Sequence, residues 1–365
     1  MANVPPRSFR LHVPETQLAD LRQRLARTRF PDEPPLEPWS TGTSLVYLRE
    51  LVQYWQTGFD WRAQEERINR FKHYSVPIRG IELHFIHEPA RRPGAMPLLI
   101  SHGWPGSIVE FLELIPLLTE HFTVVAPSLP GYTLSFKPGQ PGFGLEEIAD
   151  CYAELMSLLG YERFGAQGGD WGAFVASRLG EVHAARIIGI HLNLLAVRRD
   201  PKMEARGAEE AAYLEQLQHW LKEETGYQAI QGTKPQTLAY GLTDSPAGLA
   251  AWIAEKFRSW SDTPPERDAM LANIALYWFT GAIGSSFWPY HARWHRPWPV
   301  QKVAVPTAYA AFPKEILRPP RSLAAQTYSD IRRWSEMPCG GHFAAMEQPR
   351  ALAAEIIGFF GELAG

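Results

Sequence analysis

The sequence predicts an α/β fold with a mainly parallel central sheet, a helical lid inserted between two strands, and a helical extension at the N-terminus. Three observations support this prediction. Short, nearly continuous apolar runs alternate with helical patterns over most of the chain, which is typical of parallel strands covered by helices on both faces. This alternation stops between residues 196 and 298, where helical and aromatic patterns predominate. Two amphipathic helical patterns precede the first strand.

The composition is that of a folded protein without a strongly charged surface. The 365 residues are 45% hydrophobic and carry a formal net charge of −3, so neither a nucleic acid nor an anionic membrane is indicated as a partner. Cys151 and Cys339 lack the paired spacing of a disulfide framework or a zinc cluster. No signal peptide is evident, and no apolar span approaches about 20 residues. We therefore expect a cytoplasmic protein with free thiols and no membrane anchor.

The N-terminal extension contains two predicted helices separated by the proline-rich stretch FPDEPPLEP, because proline cannot continue a helix. Their apolar residues recur at helical spacing: Leu18, Leu21 and Leu25 in the first, and Leu45, Leu48, Leu51, Val52 and Trp55 in the second. These helices could cover the rest of the molecule or contact a second copy of the chain, which leaves a homodimer open.

The remaining chain divides into a core in two parts and the lid between them. After Phe71, apolar residues alternate on either side of Arg79-Gly80, which predicts a β-hairpin. Later apolar runs, such as PLLISHGW, FTVVAPSLPGY and RIIGIHLNLLAV, predict the strands of the parallel sheet. The predicted boundaries are 1–72 for the extension, 73–195 and 299–365 for the core, and 196–298 for the lid.

The segment GGDWG, residues 168–172, places Asp170 at a sharp turn between a predicted strand and a helix. A nucleophile flanked in this way by small residues forms the nucleophile elbow of α/β hydrolases, although serine is the usual residue there. A carboxylate attacks an sp³ carbon to form an alkyl ester, whereas attack on an acyl carbonyl would give an unstable anhydride. Asp170 therefore indicates an epoxide or an alkyl halide as the substrate rather than an ester.

The segment SHGWPGS, residues 101–107, follows an early predicted strand. In α/β hydrolases such a loop supplies one backbone N–H of the oxyanion hole, and the residue after the nucleophile supplies the other. Trp104 and Trp171 are the corresponding residues here. We expect His102 to brace this loop rather than to act as a base.

The base and its acidic partner are expected after the last two strands, because the chain order in this architecture is nucleophile, acid, histidine. His342 lies between CGG and FAAMEQP after the last predicted strand, and Glu315 follows the apolar run at 303–311. Asn193, which follows the strand predicted at 187–192, is the alternative position for the acid, but it has no charge.

Together, HGWPGS, GGDWG, AFPKE and GGHFAAMEQP resemble motifs of the microsomal-type epoxide hydrolases, and the N-terminal extension is similar to that family's N-terminal domain. The resemblance covers nearly the whole chain. It implies that Tyr227 and Tyr290 in the lid polarise the epoxide oxygen, with Tyr240 as the alternative to Tyr227. It also implies an epoxide and water as substrates, and the many lid tryptophans favour a small apolar or aromatic epoxide. We expect no metal or organic cofactor, because the sequence has no H-E-x-x-H motif, EF-hand loop or phosphate-binding glycine loop.

Two alternative functions remain open from the sequence. A haloalkane dehalogenase would share the fold, the Asp170 nucleophile and the His342 base, but it would bind halide through indole or amide N–H groups. A non-catalytic binding protein would have little reason to retain the nucleophile, acid, base and oxyanion loop together.

Overall fold

The structure of the protein, a computed structural model, describes residues 4–364. Its nine strands form one sheet in the order β1-β2-β3-β5-β4-β6-β7-β8-β9. The strands are Arg7–Phe9, His73–Ile78, Ile81–Glu88, Pro97–Ser101, Thr123–Pro127, Phe164–Gly168, Ile187–Leu192, Thr307–Ala311 and Ile331–Glu336, numbered β1 to β9. Neighbouring strands from β5 to β9 pair in parallel, while β1, β2 and β3 pair antiparallel with their neighbours. The predicted mainly parallel α/β fold is therefore confirmed.

Fifteen helices surround the sheet in the described part of the chain, residues 4–364. Before β7 they are Glu15–Ala26, Leu45–Thr57, Trp61–Ile68, Leu114–Leu118, Leu145–Leu158 and Asp170–Val182, numbered α1 to α6. Between β7 and β8 lie α7 to α12, which are Ala208–Glu223, Gly226–Thr233, Pro235–Asp244, Pro246–Trp260, Arg267–Thr280 and Trp288–His295. The last three, α13 to α15, are Arg321–Ala324, Ala344–Glu347 and Pro349–Ala364. None of these helices is long and apolar enough to span a bilayer.

The N-terminal extension packs on the lid helices. Helices α1 and α2 both contact α10, and hydrogen bonds tie the two regions together. Thr43 Oγ1 donates to the carbonyl of Ala251 at 2.7 Å, and the Tyr54 hydroxyl donates to Asp268 Oδ1 at 2.7 Å. These contacts anchor the lid through its middle helices.

Two short elements were not anticipated from the sequence, and one predicted strand is shorter than expected. Strand β1 and helix α3 are too short to produce a clear periodic pattern, although Asp60 caps α3 by accepting from the Ala63 N–H. The run predicted from residue 303 forms a strand only from Thr307, because Pro306 has no N–H to donate. Val303 makes an isolated bridge with Tyr328 instead.

The hairpin between β2 and β3 forms as predicted. Both residues of its turn have positive φ, 48° for Arg79 and 81° for Gly80. Two consecutive left-handed residues are typical of the type I′ turn, whose twist matches that of the two flanking strands.

Candidate active site

Asp170 lies at the turn between β6 and α6 and has a φ of 47°, in a region that residues other than glycine rarely occupy. The surrounding backbone is packed too tightly for larger side chains. A Cβ atom on Gly168 would lie 2.1 Å from the Gly172 carbonyl oxygen, and one on Gly172 would lie 1.9 Å from the Ser101 carbonyl oxygen. The glycines of GGDWG thus allow β4, β6 and α6 to approach closely. This packing holds the Asp170 side chain at the carboxyl end of β6.

Backbone groups and a histidine surround the Asp170 carboxylate. The Trp104 N–H donates to Asp170 Oδ1 at 2.7 Å, and His342 Nε2 lies 3.4 Å from Oδ2. Trp171 is in the first turn of α6, where backbone N–H groups have no partner within the helix. The loop after β4 and the start of α6 therefore place both predicted oxyanion residues next to Asp170. A Cβ on Gly103 would lie only 2.2 Å from Asp170 Oδ1, so the loop also requires a glycine there.

His342 and Glu315 follow β9 and β8, and they meet behind Asp170. His342 Nδ1 lies 2.6 Å from Glu315 Oε1, and both side chains are buried. Burial alone lowers the pKa of His342, but the carboxylates of Glu315 and Asp170 outweigh it and raise that pKa to about 10. The imidazole is therefore charged at neutral pH while Asp170 is ionised. The backbone N–H of His342 also donates to the carbonyl of Trp260, at the end of lid helix α10.

Tyr227 and Tyr290 lie on α8 and α12, which pack against each other. Both tyrosines are buried, with ring centroids 5.9 Å apart. Tyr227 stacks on Trp104 and Tyr290 meets Trp171 edge to face, at centroid distances of 5.3 Å and 4.9 Å. The two tyrosines thus lie over both predicted oxyanion residues.

The environment of these phenols favours hydrogen-bond donation. Burial and the nearby Asp170 raise the pKa of both tyrosines, so each hydroxyl keeps its proton at neutral pH. Gln228 Nε2 donates to the Tyr227 hydroxyl oxygen at 2.8 Å, which leaves the hydroxyl proton free for another acceptor. Tyr240, the alternative considered from the sequence, is 71% exposed and faces solvent.

Asp170 lines two separate cavities. The larger has a volume of about 310 Å³ and opens beneath the lid, where Tyr290, Phe174 and Trp220 contribute to its wall. The smaller has a volume of about 10 Å³, which is room for one water molecule, and His342 contributes to its wall. An organic molecule and a water molecule could therefore reach Asp170 from different cavities.

Glu110 is a site residue that the sequence analysis missed. It lines the smaller cavity with Asp170 and His342, and burial raises its pKa to about 8. Gly106 makes room for this side chain, because a Cβ there would lie 1.6 Å from Glu110 Oε1. The available signal was a single acid within the apolar segment SIVEF.

Lys256 was missed as well. Its ammonium nitrogen lies 4.6 Å from the centroid of the Tyr227 ring and contacts Glu255 Oε2 at 2.5 Å. Because the side chain is only 8% exposed, the cation acts on the ring with little screening by solvent. Its place on α10 gave no signal in the sequence beyond an ordinary helical charge.

His102 supports the oxyanion loop. Its Nε2 accepts the N–H of Leu129 at 3.1 Å, and its Nδ1 lies 3.1 Å from the carbonyl oxygen of Gly103. Burial lowers the pKa of His102 to about 4, so the ring is neutral. In the described residues 4–364, no group of three or more His, Cys, Asp or Glu side chains is arranged to hold a metal ion.

Comparison with known proteins relates the chain to epoxide hydrolases over nearly its whole length. Family models described as epoxide hydrolase N terminus and alpha/beta hydrolase fold match residues 6–111 and 96–220. Epoxide hydrolase 1 of Sus scrofa is 36% identical, over 98% of this chain and 89% of that protein.

Solved structures agree with this relationship. The juvenile hormone epoxide hydrolase of Bombyx mori superposes with a TM-score of 0.90 at 31% identity, covering 98% of this chain and 95% of that one. The Aspergillus niger epoxide hydrolase gives 0.89 at 31% identity, covering 99% and 97%. A haloalkane dehalogenase variant from Bradyrhizobium elkanii gives 0.61 at 17% identity, over 80% of this chain and 98% of that one, which shows the shared fold alone.

Proposed function

Because the chain belongs to the epoxide hydrolase family within the α/β-hydrolase fold and is a hydrolase, we propose that it opens an epoxide through a covalent ester on Asp170 and releases a vicinal diol. The observation that carries this proposal is the pair of buried phenols whose pKa values Asp170 raises, with Tyr290 in the wall of the same cavity as Asp170. His342 lies 3.4 Å from the Asp170 carboxylate and is hydrogen-bonded to Glu315. The reaction needs a nucleophile, donors to the epoxide oxygen, and a base that acts later.

In the first step, Tyr227 and Tyr290 donate hydrogen bonds to the epoxide oxygen while an Asp170 oxygen attacks a ring carbon. The new C–O bond forms as the ring C–O bond breaks, and the electron pair of the broken bond goes to the epoxide oxygen. That oxygen takes a proton from the tyrosine pair. Phenols suit this step because they donate strongly to a developing alkoxide and remain neutral beforehand.

In the second step, water attacks the ester carbonyl of Asp170. Ester formation removes the negative charge of Asp170 and with it part of the attraction that raises the pKa of His342. The imidazolium of His342 gives its proton back to the tyrosine that protonated the epoxide oxygen. The neutral imidazole then accepts a proton from water, while Glu315 supports the charged form. The Trp104 and Trp171 N–H groups stabilise the tetrahedral oxyanion. The ester C–O bond breaks, and the diol oxygen leaves with a proton from His342. The new carboxylic acid of Asp170 then gives its proton to His342, which restores the charged pair.

This charge coupling orders the two steps. While Asp170 is ionised, His342 stays protonated and does not activate water; once Asp170 is esterified, the base becomes available. The smaller cavity, with a volume of about 10 Å³, lies beside Asp170 and His342 and offers a position for the attacking water. The cytoplasmic location expected from the sequence stays a prediction, and the homodimer that the sequence left open stays open.

The alternative is dehalogenation of an alkyl halide by the same Asp170. Such a reaction would hold the halide through N–H donors, and the indole of Trp171 lines the same cavity as Asp170. The phenols of Tyr227 and Tyr290 favour an epoxide, because their hydroxyl groups can also return a proton to the opened oxygen.

A trapping experiment tests the proposal. The His342→Gln variant is mixed with neutral aryl and alkyl epoxides and with matched alkyl halides, quenched in acid and analysed by peptide mass spectrometry. We expect a mass gain equal to the intact epoxide on the peptide that contains Asp170, because ring opening proceeds and ester hydrolysis does not. The double variant Asp170→Asn/His342→Gln is the control and should gain nothing.

Other outcomes would assign a different reaction. A gain from halides only, equal to the alkyl group, would favour the dehalogenase. A folded variant that forms no adduct with either series would contradict Asp170 as the nucleophile.

A further inference from the structure

Two arginines line the large cavity beneath the lid. Arg199 lies between β7 and α7, and Arg293 lies on α12, three residues after Tyr290. Both are partly buried, and both line the same cavity as Asp170. The pocket that is proposed to take an epoxide therefore has positive charge in its wall.

Neither guanidinium is neutralised by a neighbouring acid. Within residues 4–364, no Asp or Glu oxygen lies within 4 Å of a nitrogen of Arg199 or Arg293. The acids Glu147 and Glu146 on α5 lie beside another arginine, since Arg296 Nη1 is 2.7 Å from Glu147 and 3.6 Å from Glu146. Burial and the neighbouring charges of Arg199 and Arg198 lower the pKa of Arg293, and only Glu146 opposes them.

Both guanidinium groups are held by indole rings of the same cavity. The guanidinium carbon of Arg199 lies 4.6 Å from the ring centroid of Trp220, and that of Arg293 lies 4.2 Å from that of Trp298. Stacking on an aromatic face fixes the plane of a guanidinium and leaves its N–H edge free to bind an anion. Two unpaired, stacked arginines are costly to place together, and an anion bound between them offsets this cost.

We propose that the natural substrate is an epoxide with a carboxylate at one end, which Arg199 and Arg293 bind while the epoxide lies at Asp170. This inference rests on the proposed epoxide hydrolysis and names the substrate class for the same pocket. The cavity of about 310 Å³ limits the substrate to a molecule of moderate size. Phe174, Trp220 and Trp294 would cover the apolar part of the substrate. The cavity thus combines the aromatic residues expected from the sequence with two arginines that were not expected.

The test compares two epoxides that differ only in a terminal carboxylate or primary amide, at constant ionic strength. The variants are Arg199→Met, Arg293→Met and the double variant, with Arg296→Met as the matched control because Arg296 lies outside this cavity and is paired with Glu147. Wild-type protein should show a kcat/KM about 10-fold to 100-fold higher for the carboxylate, the range expected for charge-assisted hydrogen bonds. Each Met variant should lose most of that preference, mainly through a higher KM for the carboxylate, so that the ratio of kcat/KM for the carboxylate to kcat/KM for the amide falls towards 1.

Several outcomes would overturn the inference. Equal kcat/KM values for the carboxylate and the amide in wild-type protein would contradict it, as would equal losses for both substrates in the Met variants. A preference that persists in the folded double variant would assign recognition of the carboxylate to other residues.

Failure of the proposed function would look different, because neither substrate would then give a diol. Binding of the carboxylate diol and of its amide would be measured by calorimetry in that case. Tighter binding of the carboxylate that depends on Arg199 and Arg293 would support the anion site, and equal binding would reject it. Arg199→Lys provides a second variant if Arg199→Met does not fold.

Discussion

The two halves of the site differ in how they are built. Asp170, Glu315 and His342 follow the ends of β6, β8 and β9, so the sheet fixes their positions through the backbone. Tyr227 and Tyr290 lie on lid helices and are positioned by the packing of aromatic side chains. The sheet half of the site, Asp170, Glu315 and His342, can therefore determine the reaction. The lid half, Tyr227 and Tyr290, can vary to suit the substrate.

The electrostatics of the two halves differ in the same way. In the sheet half, the carboxylates of Glu315 and Asp170 raise the pKa of His342 to about 10 and couple the proposed base to the proposed nucleophile. In the lid half, burial raises the pKa of Tyr227 and Tyr290, so both phenols stay neutral and are able to donate hydrogen bonds. A substitution in one half should therefore slow the step proposed for that half and leave the step of the other half nearly unchanged.

The largest effect is expected when both lid donors are removed. The double variant Tyr227→Phe/Tyr290→Phe should slow ring opening about 10⁴-fold, and each single variant should slow it about 10-fold to 100-fold, because no donor then stabilises the alkoxide. The rate is measured as formation of the Asp170 ester in a rapid-quench experiment. Tyr240→Phe is the control and should match wild-type protein, since Tyr240 is exposed. If the double variant forms the Asp170 ester at the wild-type rate, Tyr227 and Tyr290 do not take part in ring opening.

The next largest effect is expected from removing the Glu315 carboxylate, which should slow ester hydrolysis much more than ring opening. Glu315→Gln should slow ester hydrolysis about 10³-fold, because His342 loses the carboxylate that supports its charged form. Ring opening should change far less, so the ester on Asp170 should accumulate during turnover. Rapid-quench mass spectrometry measures both rates in one experiment. Equal slowing of both steps would show that Glu315 does not act through the base.

Folding stability should depend on pH with opposite signs for different histidines. The pKa of His342 is raised above 6.5, so its contribution is complete below pH 6.5 and is lost as pH rises through about 10. Burial lowers the pKa of His102 and His191 to about 4, so their neutral forms stabilise the fold above pH 6.5 and this contribution is lost as pH falls towards 4. Urea denaturation at a series of pH values measures the free energy of unfolding, and with it the loss of stability at both acid and alkaline pH.

The matched variant for the alkaline limb is His342→Gln. Glu110, whose pKa burial raises to about 8, adds its own loss of stability as pH rises from 4.5 through 8, and His342 lowers that pKa, so the loss differs between the two proteins. Both proteins are therefore compared in a Glu110→Gln background, where the difference between them reports the histidine. A difference that does not change between pH 6.5 and 10 would contradict the ion pair of His342.

The smallest effect concerns the cation beside the lid tyrosine. Lys256→Met removes a charge 4.6 Å from the Tyr227 ring and should slow ring opening about 3-fold to 10-fold, the range of a desolvated cation–π interaction. In a Tyr227→Phe background the same change should have little effect, because the phenol that it polarises is absent. Similar losses in both backgrounds would indicate that Lys256 only supports the packing of α10.

Asp170, Glu315 and His342 could be predicted from the sequence because they follow the ends of strands in a fixed chain order. The glycines around Asp170 and the loop of Trp104 are local patterns, and the structure brings their side chains to one turn. Tyr227 and Tyr290 were assigned only through the family resemblance, since helical spacing does not distinguish them from the other lid aromatics. Glu110, Lys256 and the arginine pair depend on packing between distant segments, for which one sequence carries no pattern.

A single-turnover reaction in H₂¹⁸O, with enzyme in excess over epoxide, tests the central claim most directly. If an Asp170 oxygen attacks the epoxide, the first diol released contains no ¹⁸O, and the label appears in the carboxyl group of Asp170, where peptide mass spectrometry detects it. Label in the first diol, with Asp170 unlabelled, would show direct attack by water and contradict the ester intermediate.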